Sequence, residues 1–205
     1  MKNIVLIILL TFFSCSLYQD NDEPDIFFQF SDFEILELGK SFSDMIISDI
    51  RNAIFLSDYN NNSLLKINTQ NSLLVEQHTI VGSHPIALDI NSDESIIAIA
   101  HQGESSILIL NSQDLEILNS FSVSLMNMND LAFINDTTLI ISSKTDPSCI
   151  TLNLISGEET TQSVLNGELA MDRERQILYV ATSSSLKKYN WDGLRLNQDQ
   201  NISDP

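Results

Sequence analysis

The softest ligands in the chain are His84, His101, Met126, Met128 and Cys149. Imidazole, thioether and thiolate together suit copper, and either imidazole has the chemistry of a general base. Lys144 and Asp146 add a cation and a carboxylate nearby in sequence. Each has a plainer reading. Histidines in loops are solvated, methionines pack between sheets, and a lone cysteine is a small core residue. No metal and no cofactor is assigned on this basis. The carboxylate pairs Glu158-Glu159 and Asp172/Glu174 belong to a chain with 28 acids and read as solvated surface. Acid–base work needs two carboxyls held in different environments. No G-x-S-x-G elbow offers a serine nucleophile. Catalytic residues are therefore left unassigned.

The elements that must position these side chains repeat. Ile54-Phe55-Leu56-Ser57, Ile96-Ile97-Ala98-Ile99, Leu139-Ile140-Ile141-Ser142 and Ile177-Leu178-Tyr179-Val180 are short β-type runs, each after a turn rich in Asp or Asn. A second run follows about ten residues later and ends at Asn68, Asn111, Asn153 or Asn190, spaced 43, 42 and 37 residues apart. Asparagine at a strand end caps the following turn with its own side chain. Outer strands are expected over Leu73–Val81, Leu115–Val123, Glu158–Leu165 and Leu194–Ile202. Inner strands carry Ile86-Ala87-Leu88, Leu131-Ala132-Phe133 and Leu169-Ala170-Met171, with Met45-Ile46-Ile47 in the first unit. The small central residue suits a crowded axis. Helical periodicity is absent after residue 25.

Four antiparallel strands in roughly 40 residues is the pattern of a β-propeller blade. The fold class is all-β, with repeats at about 45–85, 86–129, 130–167 and 168–205. A β-sandwich is the structural alternative, but it predicts no four-strand repeat with recurring Asn. Leu65-Lys66-Ile67-Asn68-Thr69, Val81-Gly82-Ser83-His84-Pro85 and Leu178-Tyr179-Val180-Ala181-Thr182 resemble the YVTN-type repeat of lactonase-like and surface-layer propellers. A WD40 assignment fits less well, because Trp191-Asp192 is a lone pair without a preceding Gly-His. Phe27 to Phe30 and Phe33 to Leu38 add strands of a further, incomplete blade. Propellers resembling this one usually have more than four blades. The sequence thus reads as part of a larger ring, with self-association of two copies or a small closed propeller as alternatives.

The N-terminus carries an address. Lys2 precedes an unbroken run from Ile4 to Phe13, too short to span a bilayer, which needs about 20 residues. Ser14-Cys15-Ser16 then resembles the lipobox of bacterial lipoproteins, which implies acylation of Cys15. Residues 1–14 read as the signal peptide, 15–25 as an acidic tether, and 26–205 as blades. Asp20 to Asp25 resembles the surface-export signal of Bacteroidota lipoproteins; an EF-hand reading fails at Pro24.

The net charge is −18, from 10 Lys+Arg and 28 Asp+Glu. Nucleic acid and anionic membrane surfaces repel such a chain. With 43% hydrophobic residues it folds a core. Strand order places His84, His101, Met126, Met128, Lys144 and Asp146 at one end of the propeller, as the expected ligand-binding face. The functional expectation is a lipid-anchored binding or scaffold protein of the cell envelope, an outer-membrane lipoprotein, periplasmic or surface-exposed. Its partners are the bilayer through Cys15 and a protein or glycan ligand. The alternative is an extracytoplasmic, lactonase-like hydrolase with its site on the His84/His101 face. A quinoprotein or electron-transfer role is weaker, since no C-x-x-C-H haem site occurs.

Overall fold

The computed structural model describes residues 6–8, 34–36, 38, 40–70 and 74–198. The chain divides into Met1–Ser41 and Phe42–Pro205. In the first unit, β1 (Leu6–Ile8) pairs antiparallel with β2 (Glu34–Leu36). The apolar run read as a leader therefore contributes a strand here; its Ile and Val residues favour extended backbone. Cys15, the tether and Phe27 to Phe30 lie outside the described residues.

The second unit is four four-stranded antiparallel sheets. The first blade is β3 (Phe42–Ser48), β4 (Ala53–Asp58), β5 (Ser63–Asn68) and β6 (Leu74–Ile80). The second is β7 (Pro85–Ile90), β8 (Ile96–His101), β9 (Ser106–Asn111) and β10 (Ile117–Ser122). The third is β11 (Met128–Asn135), β12 (Thr138–Ser143), β13 (Cys149–Asn153) and β14 (Glu159–Gln162). The fourth is β15 (Glu168–Asp172), β16 (Ile177–Ala181), β17 (Leu186–Trp191) and β18 (Leu196–Gln198). Each sheet keeps chain order from inner to outer strand. In the second and third blades the outer strands, Ile117–Ser122 and Glu159–Gln162, are shorter than the expected runs.

Side-chain alternation decides how blades stack. On β8, Ile97 and Ile99 face the first blade, where they meet Ala53, Phe55 and Leu64. Ala98 and Ala100 face the third blade, against Leu139, Ile141, Ile150 and Leu152. The third blade presents Ile140, Cys149 and Ala132 to Leu178, Val180 and Tyr189 of the fourth. A strand buried on both faces favours apolar residues on both, so the centres of β8 and β12 read as continuous runs. Burying Phe55 or Phe133 completely contributes roughly 1.5–3 kcal/mol each. The inner-strand alanines Ala87 and Ala132 fit this layer: they sit where neighbouring inner strands converge, and both are buried.

The asparagine turns form as the repeat implies. Asn68 Oδ1 accepts from Gln70 N, and Asn111 Oδ1 from Gln113 N, both at 2.7 Å. Asn153 Oδ1 accepts from Ile155 N and Ser156 N, each at 2.9 Å. In the fourth blade Asn190 does not cap. The strand runs on to Trp191, and Asp192 Oδ1 takes Leu194 N and Arg195 N instead. The fourth residue after the cap adopts a left-handed backbone, Gly157 in one turn and Leu115 in another. Leu115 tolerates φ 59° because its side chain is buried between the first and second blades. Asn153→Ala removes the one oxygen that accepts both of these N–H bonds. It is expected to lower stability by about 1–2 kcal/mol, read as a lower urea midpoint with an unchanged slope.

Candidate axial site

An inner strand is a sheet edge, and its outward N–H groups need partners. Here the preceding blade supplies them. Asp44 Oδ2 accepts from Leu88 N at 2.6 Å, across the joint between the first and second blades. Asp89 Oδ2 accepts from Phe133 N at 2.7 Å, across the second joint. Asp130 Oδ2 accepts from Leu169 N at 2.6 Å, across the third. In each case Oδ1 holds the N–H of the following residue, Met45, Ile90 or Leu131. Three joints thus carry one aspartate latch each.

The latches line a cavity of about 530 Å³ beside the inner strands. Its wall includes Ser43, Asn129, Lys144, Glu168 and Arg173 as well as the three aspartates. Arg173 Nη2 reaches Asp89 Oδ2 at 2.6 Å, and its Nε donates to Phe133 O at 3.1 Å. The guanidinium thereby bridges the second, third and fourth blades. Burial pushes Asp44 and Asp89 above the ordinary carboxylate range. For Asp89 the Arg173 charge opposes that rise. Asp130 is pushed up to about 7, mainly by burial, with the negative charges of Asp44 and Glu168 adding to it.

A second cavity of about 520 Å³ is lined by Ser143, Asn166, Gly167, Thr182 and Ser183. It shares Asn129, Lys144 and Glu168 with the first. The two therefore meet at Lys144, between the loops of the third and fourth blades. Carboxylates accept, Lys144 and Arg173 donate, and Asn129 and the hydroxyls do both. Such a lining presents both donors and acceptors.

The other expected residues are placed differently. His84 is exposed, at φ 53°, with its ring 4.6 Å from that of Tyr59. Its carbonyl accepts from Gln102 N, which ties the two loops together as strand order required. Met126 is exposed, and Asp146 Oδ2 accepts from Ser143 Oγ at 3.2 Å. Met128 is fully buried between the second and third blades, and Cys149 between the third and fourth. Burial, then the Asp130 charge, lifts the Cys149 thiol to about 12, which makes it an inert core residue. His101 is buried and held below the ordinary imidazole range by burial. Its Nε2 lies 3.2 Å from where a Cβ on Gly82 would stand. Side-chain depth separates these residues: His84 and Met126 are exposed, whereas His101, Met128 and Cys149 are buried. Among the described residues, no three His, Cys, Asp or Glu are grouped to hold a metal ion.

No family model and no curated protein matches the chain. Solved structures do. Kuenenia stuttgartiensis hydrazine synthase matches at 12% identity and TM-score 0.63, covering 76% of this chain and 47% of that one. U3-55K matches at 18% and 0.63, covering 78% and 51%. The C-terminal WD40 domain of Sif2 matches at 14% and 0.61, covering 82% and 50%. The fold is a β-propeller. This chain spans about half the length of each of these structures. At such identities the likeness is one of architecture, and propellers host many activities.

Proposed function

We propose that the chain is a lipid-anchored binding propeller of the cell envelope, with an outer-membrane address read from Cys15 and the leader. The observation that supports the binding half is the polar groove that runs from the axis to the loops of the third and fourth blades, with Lys144 at its middle. A pocket of several hundred Å³ with convergent polar groups is a natural ligand site. Its occupant would be a polar segment of a protein or glycan. The YVTN-type repeat and the surface-export signal belong to the same reading. The geometry favours it over a hydrolase on the His84/His101 face. One imidazole is buried under Gly82 and the other is exposed, tilted at 44° against the Tyr59 ring, so they do not present a shared reactive atom.

Two measurements on the full chain test the two halves. Cys15→Ser is expected to stop incorporation of labelled palmitate and to move the protein from the membrane to the soluble fraction. Unchanged labelling would remove the anchor. A glycan and peptide array probed with the wild type and with Lys144→Glu is expected to show a signal that the variant loses at least tenfold. Equal signals would remove the groove as the site.

A further inference from the structure

We propose that the polar groove takes a glycan bearing a single carboxylate, a uronate among neutral sugars, and that Lys144 pairs with that carboxylate. The inference rests on the groove being the ligand site and names the class of ligand. Lys144 is exposed and lines both cavities. Other cations of the propeller are engaged: Arg173 with Asp89, Arg175 with Asp172, and Lys66 with the Gln113 carbonyl. The Lys144 side chain has no hydrogen-bond or ion-pair partner among the described residues. Two neutral donors share the second cavity with it. Asn166 Oδ1 accepts from Ser143 N at 3.2 Å, which leaves Nδ2 to donate. Ser183 Oγ has no partner among the described residues. A lysine cation with two neutral donors in one cavity suits a carboxylate, which accepts several charge-assisted bonds.

The rest of the lining decides what carries the carboxylate. Glu168 Oε1 accepts from Asn129 Nδ2 at 3.2 Å, and its other oxygen remains an acceptor. That side chain repels a carboxylate and receives hydroxyls, so the ligand must offer both groups. A uronate carries both on one ring. The aspartates of the first cavity also accept from hydroxyls, which sets the neutral sugars toward the axis. Among the described residues, the only wholly apolar side chain lining the second cavity is that of Ala181. A peptide anchors itself by burying large side chains in fitted pockets, and this wall provides no apolar pocket for one. Charge narrows the class further. The chain carries −18 and repels a polyanion at range. One carboxylate flanked by neutral sugars is the form that reaches the lysine.

The experiment is calorimetric titration of the full chain with three probes at one ionic strength. They are cellobiouronate, cellobiose (which has a hydroxymethyl group in place of the carboxylate) and N-acetylglutamate amide. The wild type is expected to bind cellobiouronate about fivefold more tightly than cellobiose, as one exposed ion pair allows. Lys144→Met is expected to abolish that preference, Lys144→Arg to keep it, and Ser183→Ala to reduce it. Equal affinity of the wild type for the two sugars would overturn the uronate and leave the groove as the site. A preference that survives Lys144→Met would overturn the assignment of the carboxylate to Lys144. Tighter binding of the glutamate amide than of cellobiouronate, lost in Lys144→Met, would give the lysine to a protein partner and overturn the glycan. Binding of neither sugar would overturn the proposal as well, with the array left to judge the groove.

Discussion

Arg173→Ala is expected to destabilise the propeller by about 2–3 kcal/mol at pH 7. Removing one partner of a buried ion pair leaves the other charge uncompensated, which costs about 3–5 kcal/mol in full burial. Here the Arg173 and Asp89 side chains are 27% and 20% exposed, so solvent screens part of that loss. The variant also strips the donor from Phe133 O and the cation set 6.0 Å over the Phe133 ring. The deficit depends on pH. Arg173 holds the Asp89 carboxyl down against the pull of burial. Without it, that carboxyl keeps its proton to higher pH. The loss is then smaller in acid, where protonation of Asp89 removes the charge that Arg173 pairs, and grows as pH rises. Adding Asp89→Asn to Arg173→Ala is expected to recover much of the stability at pH 8. Urea midpoints of the wild type, the single variants and the double variant at pH 5 and pH 8 form the cycle. Equal losses at the two pH values would show that Arg173 acts by packing rather than charge.

Gly167→Ala is expected to cost about 3 kcal/mol or more, at the upper end of overpacking effects. Its Cβ would stand 2.2 Å from Ala181 O and 2.9 Å from Ala181 C. Both are backbone atoms, and Ala181 pairs with Glu168 at the first rung of β15 and β16. Neither side can yield without opening that rung. The Gly167 carbonyl also accepts from Ser142 Oγ at 2.8 Å and from Asn129 Nδ2 at 3.2 Å, so a displaced backbone would disturb the third blade too. Thermal unfolding of the variant checks the cost. A midpoint within a degree of the wild type would show that the two strands separate at this point without penalty.

The blades were legible because the units repeat an apolar second strand and a third strand ending at asparagine, with a small inner residue in all but the first. Asn190 misled because Tyr189-Asn190-Trp191 continues the strand, and the Asp192 that caps lies beyond a residue with good strand propensity. Strand order placed His84 and His101 at one end, and the loops that hold them are joined by the Gln102 N–H to the His84 carbonyl. It carried no information on depth. Met128 and Cys149 sit on inner and third strands covered by blades on both sides, so their side chains are enclosed whichever way they point. The aspartate latches escaped notice among 28 acids. A signal existed: Asp44 and Asp130 each stand immediately before the apolar centre of an inner strand. Asp89 breaks the phase, because it follows its centre instead. Arg173 sits in a turn and gave no sign that it would reach back to the second blade.

The latches point one way. Each of the first three blades offers a carboxylate that accepts a backbone N–H from the blade made after it. A nascent chain leaving the ribosome would therefore present Asp44 with nothing to hold until Leu88 has emerged, Asp89 until Phe133, and Asp130 until Leu169. Each lock becomes available about 40 residues after the last, in the order of translation. The propeller carries its own assembly sequence, and a pause in synthesis between two blades would leave one aspartate, and only the newest, in water.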